Sequence, residues 1–400
     1  MSQISPGPSL EALAAGARAA GRLALDTEFM GEGRYRTLLC LVQLAIPEGG
    51  EAAERIALVD PLEEELDGAP LAGVLADPEI QIVVHAGRQD IALMRRRFQT
   101  DVRNVFDTQV AAGFAGLGAQ SSYDSLLSDL LGLRVAKTAS FTRWDARPLS
   151  PEQLAYARED VVHLLELAGE LERRLAALGR LEWAREECEP LERSSDERDV
   201  ETIFARLPRI ASLNASARPL ARELVLWREQ TAERQNRPVQ SVLGDAALME
   251  IAKRAPSSGA ELERIRGVGA GNGRGRRAEE LLGAVRRGRE RPPDPPPERS
   301  RQAPTRPDDA PLVALAEALL RARAREAGLA YELLAARADL QAIVAARRVG
   351  GEAEVRTLQG WRRELVGAEL LALLDGDVSL SVLDGDRGRR LRVDRRSARG

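Results

Sequence analysis

Four short apolar segments near the amino terminus constrain the fold of this chain more than any other feature. They are the stretches GRLALDTEF, TLLCLVQLAI, ERIALVD and IQIVVHAG, each bounded by glycine, proline or charged residues. Short apolar runs bounded in this way predict β-strands. A helical pattern, QDIALMRRRF, follows the fourth segment, so that strands and helices now alternate as in α/β folds. The early group of neighbouring strands followed by this alternation predicts a mixed sheet flanked by helices.

The rest of the chain is predicted to be helical. Helical patterns continue from Asp107 onward. A good helix start occurs where Ser150 can act as N-cap and Pro151 takes the first helical position. A charged stretch from Arg185 predicts a linker, and amphipathic helices then fill residues 202–290.

The chain is long enough for several domains, because 400 residues exceed the usual size of one hydrophobic core. The segment RERPPDPPPERSRQAPTRPDDAP is rich in proline and charge, so it predicts an extended linker. The predicted division is an α/β domain at residues 1–190, a helical domain at 205–290, the linker at 291–311, a second helical domain at 312–385 and a disordered tail at 386–400.

The scarcity of cysteine and histidine limits the kinds of metal site. Cys40 and Cys188 are the only cysteines, and their spacing does not indicate that they pair with each other. Disulfide frameworks and cysteine zinc sites are therefore excluded. With only His85 and His163, neither a histidine-rich zinc site nor a two-histidine nuclease mechanism can be assembled. Any metal ion would therefore have to be held by carboxylates.

The sequence favours a protein that acts in the cytoplasm, with no membrane partner. No apolar run approaches the ~20 residues needed to span a bilayer, and the amino terminus lacks the basic start and long apolar stretch of a secretion signal. The formal net charge of −4 does not by itself indicate a nucleic-acid binder. A global charge can nevertheless hide local patches of either sign.

Two acids stand two residues apart in the first predicted strand. Because side chains alternate along a strand, Asp26 and Glu28 leave the same face of the sheet. Carboxylates that share a face raise each other's pKa unless water or a cation offsets their charge. Taken alone, the pair is better explained as a solvated strand face.

Two further segments place acids on predicted helices. Asp90 lies at the start of the helix after the fourth strand, where an acid can simply complement the helix dipole. Tyr156 and Asp160 stand four residues apart and therefore on one helical face. A single pair of this kind is more often a surface contact, so each segment alone has a structural explanation.

Taken together, the three segments resemble a known family. DTEF, HAGRQD and YAREDV occur in the order and at the separations of the three exonuclease motifs of the DEDD superfamily, in its tyrosine-bearing branch. The flanking segments GRYRTLLCLVQLA, FDTQ and KTASFTRWDARPLSPEQLAYA resemble those of the ribonuclease D family. This resemblance covers roughly residues 20–170. It implies a ribonuclease H-like α/β domain that removes nucleotides hydrolytically, one at a time, from the 3′ end of RNA.

The resemblance also implies a site for two Mg²⁺ or Mn²⁺ ions, formed by Asp26, Glu28, Asp90 and Asp160. These hard cations prefer oxygen ligands and would lie ~3.5–4 Å apart. By motif position, Asp26 would bridge both ions. Glu28 and Asp160 would bind the ion that generates the attacking hydroxide, and Asp90 would hold the ion that stabilises the leaving oxygen. Tyr156 would orient the attacking water.

The loop before the third motif carries candidates for contacts with RNA. Lys137, Arg143, Trp144 and Arg147 are predicted to meet phosphates or bases by charge and by stacking. An equally good explanation for Trp144 and Arg147 is that they fix this loop to the catalytic domain.

Residues 215–290 resemble the HRDC module found behind ribonuclease D and RecQ-type helicase cores, with Trp227, Leu243, Leu248 and Ile251 predicted in its core. Its glycine-rich loop, GVGAGNGRGRRAEE, lacks the Gly-Lys-Ser/Thr ending of a P-loop and does not follow a strand, so nucleotide binding is not expected.

An arginine-rich stretch of this module is the predicted RNA-gripping surface, and a solvated helix face is the alternative. It includes Arg274, Arg276 and Arg277. The segment from Leu312 to Leu374 resembles a second, more divergent helical module of the family, with Trp361 predicted in its core. The family resemblance implies that two such modules form a ring or funnel that admits a single-stranded 3′ end.

The implied partner is RNA with a single-stranded 3′ end, tRNA precursors in particular, and no obligatory protein partner is evident. Two alternatives stay open at this point. One is a DNA 3′-5′ exonuclease of the same branch, because two-metal chemistry does not itself require a 2′-hydroxyl. The other is a catalytically inactive RNA-binding scaffold, which the filled catalytic positions disfavour.

Overall fold

The computed structural model describes residues 9–47, 55–63, 65–134, 143–268, 274–295, 306–385 and 388–395. The amino-terminal part is α/β, and the remainder is mainly helical. None of the described helices is long and apolar enough to cross a membrane.

A five-stranded mixed sheet forms the centre of the α/β part. Its strands are β1 (Arg22–Met30), β2 (Leu38–Ala45), β3 (Ile56–Val59), β4 (Gln81–Val84) and β5 (Val105–Asp107), in the order β3-β2-β1-β4-β5. Strands β1, β2 and β3 pair antiparallel, whereas β1, β4 and β5 pair parallel. The predicted mixed sheet is therefore confirmed. The sequence did not reveal β5, because three residues are too few for a periodic pattern.

Helices cover both faces of this sheet. They are α1 (Leu10–Ala20), α2 (Ala69–Leu75), α3 (Arg88–Phe98), α4 (Thr108–Phe114), α5 (Tyr123–Leu126), α6 (Pro151–Val162), α7 (Leu164–Ala177) and α8 (Leu181–Cys188). On one face, α1, α2 and α3 pack on residues such as Leu25 and Leu44. On the other face, α6 and α7 pack on Ala24 and Ala45. Burial on both sides explains why β2 is an almost continuous apolar run rather than an alternating one.

The charged segment from Arg185 was predicted to link the α/β part to the helical group, but its first residues belong to the α/β part. It continues as helix α8 and a 3₁₀ turn at Glu189–Arg193, both packed on the α/β part. Cys188 accepts a hydrogen bond at its Sγ from the backbone of Asp107 at 3.3 Å, and Leu191 joins the apolar core beside the sheet. The segment packs on the α/β part because Cys188 and Leu191 are buried there, although most of the surrounding residues are charged.

A second group of helices has an apolar core of its own. These helices are α9 (Val200–Ala205), α10 (Ala217–Arg234), α11 (Val239–Val242), α12 (Asp245–Arg254), α13 (Gly259–Glu263) and α14 (Gly275–Glu290). The four core residues predicted from the sequence, Trp227, Leu243, Leu248 and Ile251, are all buried. Helices α10 and α14 approach closely at Gly288, where a Cβ would lie 2.5 Å from the Cα of Leu220.

The carboxyl-terminal helices pack on the α/β part. They are α15 (Ala310–Ala327), α16 (Tyr331–Leu334), α17 (Arg337–Arg348), α18 (Gly360–Arg362) and α19 (Ala368–Asp375). Trp361 is buried, as predicted, but its ring lies 5.0 Å from that of Phe114 and 5.3 Å from that of Trp183. It therefore joins these helices to α4 and α8 instead of closing a separate core. The apolar periodicity of the sequence does not show whether Trp361 packs within its own helical group or against the α/β part.

The structure changes the bounds of the predicted linker and of the predicted disordered tail. Asp294 binds Arg218 and Arg222 at 3.3 and 3.1 Å, and helix α15 begins at Ala310, inside the predicted linker; residues 296–305 lie outside the described residues. The prediction of a disordered tail is wrong for residues 388–395, which form a strand.

This strand belongs to a carboxyl-terminal hairpin, in which β6 (Val378–Gly385) pairs antiparallel with β7 (Gly388–Arg395). Leu380 faces Val393, and both pack against the core shared with the α/β part. The alternation of apolar and polar residues in both strands provides the apolar face that such packing requires. Residues 386–387 and 396–400 lie outside the described residues.

The loop between β1 and β2 connects the five-stranded sheet to the helical group that follows the α/β part. The Tyr35 hydroxyl donates to Glu229 at 3.1 Å, and the Tyr35 backbone N–H donates to the Asn236 side chain at 3.2 Å. Arg198 binds the same Glu229 carboxylate at 2.5 Å and lies over the Tyr35 ring. Glu229 is only 4% exposed, so this ion pair is shielded from water. Burial and the charge of Glu229 raise the pKa of Tyr35 to about 12, which keeps its phenol a donor.

Removal of the Glu229 carboxylate should destabilise the protein. In the variant Glu229→Ala, Arg198 and Tyr35 lose their shielded partner, and we expect unfolding free energy to fall by about 3 kcal/mol. Glu233→Ala on the same helix is the matched control, since its partner Arg36 forms an exposed pair, 37% and 54% exposed. The control should lose less than about 1 kcal/mol. Urea unfolding of the full chain measures both, and equal losses would contradict the interpretation.

Candidate active site

The first two acids lie on β1, on the face of the sheet that α6 covers. Asp26 and Glu28 share this face because side chains alternate along the strand, and Thr27 between them points to the opposite side. Directly after Glu28 the pairing with β2 shifts by one residue, so that Cys40 forms a β-bulge. Bulges of this kind re-aim side chains next to active sites.

The third acid, Asp90, is 7% exposed in the first turn of α3. The Thr27 hydroxyl donates a hydrogen bond to its Oδ1. The turn that precedes α3 is held by Asp107, whose carboxylate accepts the backbone N–H groups of Ala86 at 3.0 Å and Gly87 at 2.9 Å. Asp107 lies in the FDTQ segment, to which sequence reasoning assigned no chemical role. Its part in positioning Asp90 becomes visible only in the folded chain.

The last two residues of the predicted site lie on α6. This helix begins with a capping box: Ser150 Oγ accepts from the Gln153 N–H at 3.2 Å, and Gln153 Oε1 accepts from the Ser150 N–H at 2.9 Å. The predicted N-cap is therefore confirmed. Ala157 is buried against the sheet. This packing brings Tyr156 and Asp160 to the face of the sheet on which Asp26 and Glu28 lie.

The four acids lie close enough together to repel one another. Burial raises the pKa of Asp26 well above its ordinary value, and the charges of Asp90, Asp160 and Glu28 raise it further. Burial, then the charges of Asp160 and Asp90, raise the pKa of Glu28 to about 8. The structure thus brings together carboxyl groups from three distant segments of the chain.

Asp90 and Asp160 also have raised pKa values. Burial raises the pKa of Asp90 to about 6, although the hydrogen bond from Thr27 opposes the shift. Burial and the nearby Asp124 raise the pKa of Asp160 to about 7. At neutral pH, therefore, some of these carboxyl groups in the metal-free site stay protonated, whereas ordinary carboxyl groups would be ionised. A bound cation would neutralise the repulsion among the carboxylates and so favour the loss of these protons.

The residues of this site fit a divalent cation. Asp160 Oδ2 is buried and has no hydrogen-bond partner among the described residues, which leaves an oxygen lone pair for a ligand. The donor set consists of carboxylates, the ligand type that Mg²⁺ and Mn²⁺ prefer. In the described part of the chain, no three acidic, histidine or cysteine side chains converge closely enough to hold an ion by themselves. Water and substrate phosphate would therefore complete the coordination, as is usual for Mg²⁺.

Sequence reasoning missed two residues of α5 that lie beside these acids. Burial raises the pKa of Tyr123, and the charges of Asp160 and Asp26 raise it further. The Tyr123 ring also lies 5.7 Å from that of His85. Asp124 is the neighbour that raises the pKa of Asp160. No local signal marks either residue, because only tertiary packing brings this short helix to the site.

Two of the predicted RNA-binding residues are instead packed against the α/β part, Trp144 buried and Arg147 partly buried. Trp144 is 4% exposed, and its ring lies 6.1 Å from that of Tyr156, so no free face is left for a base. Arg147 binds Asp60 at 2.5 and 2.7 Å and donates to the Cys40 carbonyl at 2.7 Å. These contacts favour the alternative explanation, in which both residues fix the loop to the catalytic domain.

Among the remaining RNA-binding candidates, Arg143, Arg274 and Arg276 are exposed and Arg277 is partly exposed. Arg143 has a side chain that is 76% exposed and binds Asp145 at 2.8 Å. In the helical group, Arg274 pairs with Glu263, Arg276 pairs with Glu280 at 3.2 Å and Arg277 donates to Gln235 at 2.6 Å. None of these contacts joins the described candidates to the four carboxyl groups. Lys137 lies outside the described residues.

Comparisons with known proteins agree with this geometry. Residues 3–176 match the 3′-5′ exonuclease family, and residues 217–285 match the HRDC domain. The ribonuclease D of Granulibacter bethesdensis is 40% identical over 95% of this chain and 94% of that protein. The ribonuclease D of Gluconacetobacter diazotrophicus is 39% identical over 92% and 91%. The crystal structure of Escherichia coli RNase D is similar with a TM-score of 0.77 at 27% identity, covering 92% of this chain and 96% of that one.

The fold and the matched domain define a 3′-5′ exonuclease, an enzyme class that depends on divalent metal ions. Identity of this extent over nearly the whole chain shows the family: the chain belongs to the ribonuclease D family. It is therefore a 3′-5′ exoribonuclease, and RNA is its substrate class. These relatives do not favour the DNA exonuclease or the inactive scaffold.

The raised pKa values predict that the metal-free protein loses stability as the pH rises. In the folded state Glu28 titrates at about 8, Asp160 at about 7 and Asp90 at about 6. The folded chain therefore binds more protons than the unfolded chain between about pH 4 and pH 8, and its stability falls through that window.

Melting temperatures of the metal-free chain across this window, at constant ionic strength, measure the effect. Asp26→Asn removes one of the repelling charges, so we expect its curve to fall less steeply than that of the wild type. Mg²⁺ or Mn²⁺ should recover most of the loss near pH 8, because a cation that binds only the folded chain stabilises it. Parallel curves for wild type and variant would contradict the proposed repulsion.

Proposed function

We propose that Asp26, Glu28, Asp90 and Asp160 are the metal ligands of this exoribonuclease and that Tyr156 orients the attacking water. The observation that carries the proposal is the gathering of four carboxyl groups from β1, α3 and α6, each with a raised pKa. Such an arrangement is unfavourable for the fold alone, so it indicates a functional site.

We infer that the site takes two divalent ions. Asp26 lies on β1, the middle strand of the sheet, and the charges of the three other acids raise its pKa, so we assign it the role of bridging ligand. Glu28 and Asp160 would share one ion, and Asp90 would hold the second. When bound, the two ions would neutralise the charge that develops on the phosphate and activate the attacking water.

Tyr156 is proposed to act through a hydrogen bond. It precedes Asp160 by one helical turn, so its side chain lies beside the carboxylate that would bind the ion near the water. A phenol has an ordinary pKa of about 10 and keeps its proton at neutral pH. The Tyr156 hydroxyl can therefore hold and orient water, while the proton of that water must go elsewhere.

Within the RNA class, we propose structured RNAs with a single-stranded 3′ end, and tRNA precursors in particular, as substrates. Escherichia coli RNase D, the solved structure similar over 92% of this chain, is described as an exoribonuclease involved in structured RNA processing. All four proposed ligands come from one chain, so no protein partner is needed to complete the site. The proposed place of action is the cytoplasm.

The helical modules are proposed to guide RNA to the site. The proposed units are the catalytic domain at residues 1–190, the HRDC module at 205–290 and a second helical module at 312–385, and the predicted linker at 291–311 is shortened to the residues between Asp294 and Ala310. Arg274 and Arg276 are 78% and 90% exposed, and Arg143 is 76% exposed. Exposed ion pairs are weak, so phosphates can replace the present partners of these arginines. Arg277 and Lys137 are proposed to join them.

Loss of one proposed ligand should abolish trimming. Asp26→Asn and Asp160→Asn should each lower the rate about 1,000-fold, because charge compensation on the phosphate is lost. The measurement is Mg²⁺-dependent shortening of a tRNA with a 3′ extension, resolved nucleotide by nucleotide on a gel. Glu159→Gln is the matched control, since it removes an exposed acid adjacent to Asp160. Trimming that survives in either Asn variant would contradict the assignment.

Tyr156 should influence the chemical step and not metal binding. Tyr156→Phe removes the hydroxyl but keeps the ring that packs beside Trp144. We expect kcat to fall about 100-fold through loss of water positioning, with KM for RNA and Mn²⁺ affinity unchanged. Single-turnover rates and Mn²⁺ titrations separate these effects. A variant with normal kcat would show that the phenol does not orient the water.

A further inference from the structure

Gln43 is a fully buried polar side chain in the middle of β2. It is 0% exposed, and neither Nε2 nor Oε1 has a hydrogen-bond partner among the described residues. A side-chain amide offers two donor hydrogens and an acceptor oxygen, and buried groups of this kind are normally paired. An unpaired one in a well-packed sheet therefore needs an explanation, such as an ion, a water or a ligand that completes it.

The position of Gln43 points to the active site. Gln43 is the direct cross-strand neighbour of Asp26 on β1. Residues opposite each other in an antiparallel pair leave the same face of the sheet, with Cβ atoms about 4.5–5.5 Å apart. The amide of Gln43 and the carboxyl group of Asp26 therefore lie side by side beneath α6.

The neighbours of Gln43 on β3 and along its own strand are apolar. On its far side it faces Leu58 of β3, and along its own strand the residues on the same face are Leu41 and Ala45, both buried. Asp26 is thus the polar residue directly opposite this amide, and Glu28 lies diagonally from it on the same face of the sheet. A glutamine side chain is long enough to reach an adjacent cross-strand carboxylate.

We propose that Gln43 is a positioning residue for Asp26: its Nε2–H donates to a carboxylate oxygen of Asp26 and so holds this carboxylate in the orientation that the ions require. The inference rests on the proposed function of Asp26 as a metal ligand. The bond belongs to the cation-bound state, in which the repulsion among the acids is neutralised. Donors behind metal-binding carboxylates commonly fix their orientation.

The choice of an amide fits this task. A lysine or arginine at position 43 would also donate to Asp26, but its positive charge would compete with the cation. An amide is neutral, so it directs the carboxylate without reducing the negative charge that attracts the ion. A leucine or methionine would suit the apolar surroundings better but could not donate.

A structural role and a positioning role predict opposite results for the same variant. If Gln43 served the fold, its loss would destabilise the metal-free chain. If it serves Asp26, the metal-free chain carries an unpaired buried amide, and replacement by an apolar side chain of similar shape is neutral or stabilising.

The experiment compares Gln43→Met with Leu44→Met in the full-length chain. Leu44 is also buried on β2 but faces the opposite side of the sheet, and exchange of leucine for methionine is well tolerated. Urea unfolding without metal measures stability, and electron paramagnetic resonance of free Mn²⁺ measures affinity. For Gln43→Met we expect unchanged or higher stability and about 10- to 100-fold weaker Mn²⁺ binding. Leu44→Met should keep wild-type affinity.

Two results overturn the inference. One is Gln43→Met with normal Mn²⁺ affinity. The other is a Gln43→Met chain that fails to fold or unfolds more easily than Leu44→Met, because this would show a structural role.

The double variant with Asp26→Asn tests whether Gln43 acts through Asp26. In that background, Gln43→Met should cause no further loss of Mn²⁺ affinity, whereas additive losses would show an independent contact with the ion. Asp26→Asn alone separates this inference from the proposed function. If Asp26→Asn binds Mn²⁺ normally, the metal site itself is misassigned; if it binds weakly while Gln43→Met binds normally, only the role of Gln43 is wrong.

Discussion

Electrostatic repulsion among four carboxyl groups is the constraint on which the rest of this structure depends. The chain opposes that repulsion with rigid packing: β1 is buried in the middle of the sheet, and α6 is fixed across it by a capping box and by buried Ala157. Asp107 holds the turn that brings Asp90 to the same place. A divalent cation held by these acids, as proposed, would convert the repulsion into binding energy, so the repulsion in the metal-free fold would favour the binding of the ion.

The helical parts of the chain are attached to this centre at two different points. The HRDC-like group binds the loop that leaves β1 through Tyr35 and Glu229, and has a separate apolar core. The carboxyl-terminal helices instead share a core with α4 and α8 through Trp361. The helices that come last in the sequence therefore pack against the first domain and not against the helical group that precedes them. Both attachments rest on the catalytic domain, which allows either module to influence the RNA that reaches it.

Much of this arrangement follows from sequence patterns with a simple physical basis. The spacing of Asp26 and Glu28 places both on one strand face, and the i, i+4 spacing of Tyr156 and Asp160 places both on one helix face. What the sequence does not show depends on partners far away in the chain. The relation between Gln43 and Asp26 requires the strand register, and the contacts of Tyr123 and Asp124 require packing of α5. The carboxyl-terminal hairpin did carry a local signal, the alternation in VSLSV and LRV.

The central claim is that the four acids form one site for two divalent ions at which an RNA 3′ end is cut. The most direct test is a crystal structure of the full chain with Mn²⁺ and a short RNA carrying a non-hydrolysable 3′-terminal linkage. Anomalous scattering locates Mn²⁺ without ambiguity. We expect two peaks about 3.5–4 Å apart, both in contact with Asp26 and with the terminal phosphate. Anomalous peaks elsewhere in the protein, or a single ion that Asp26 does not contact, would contradict it.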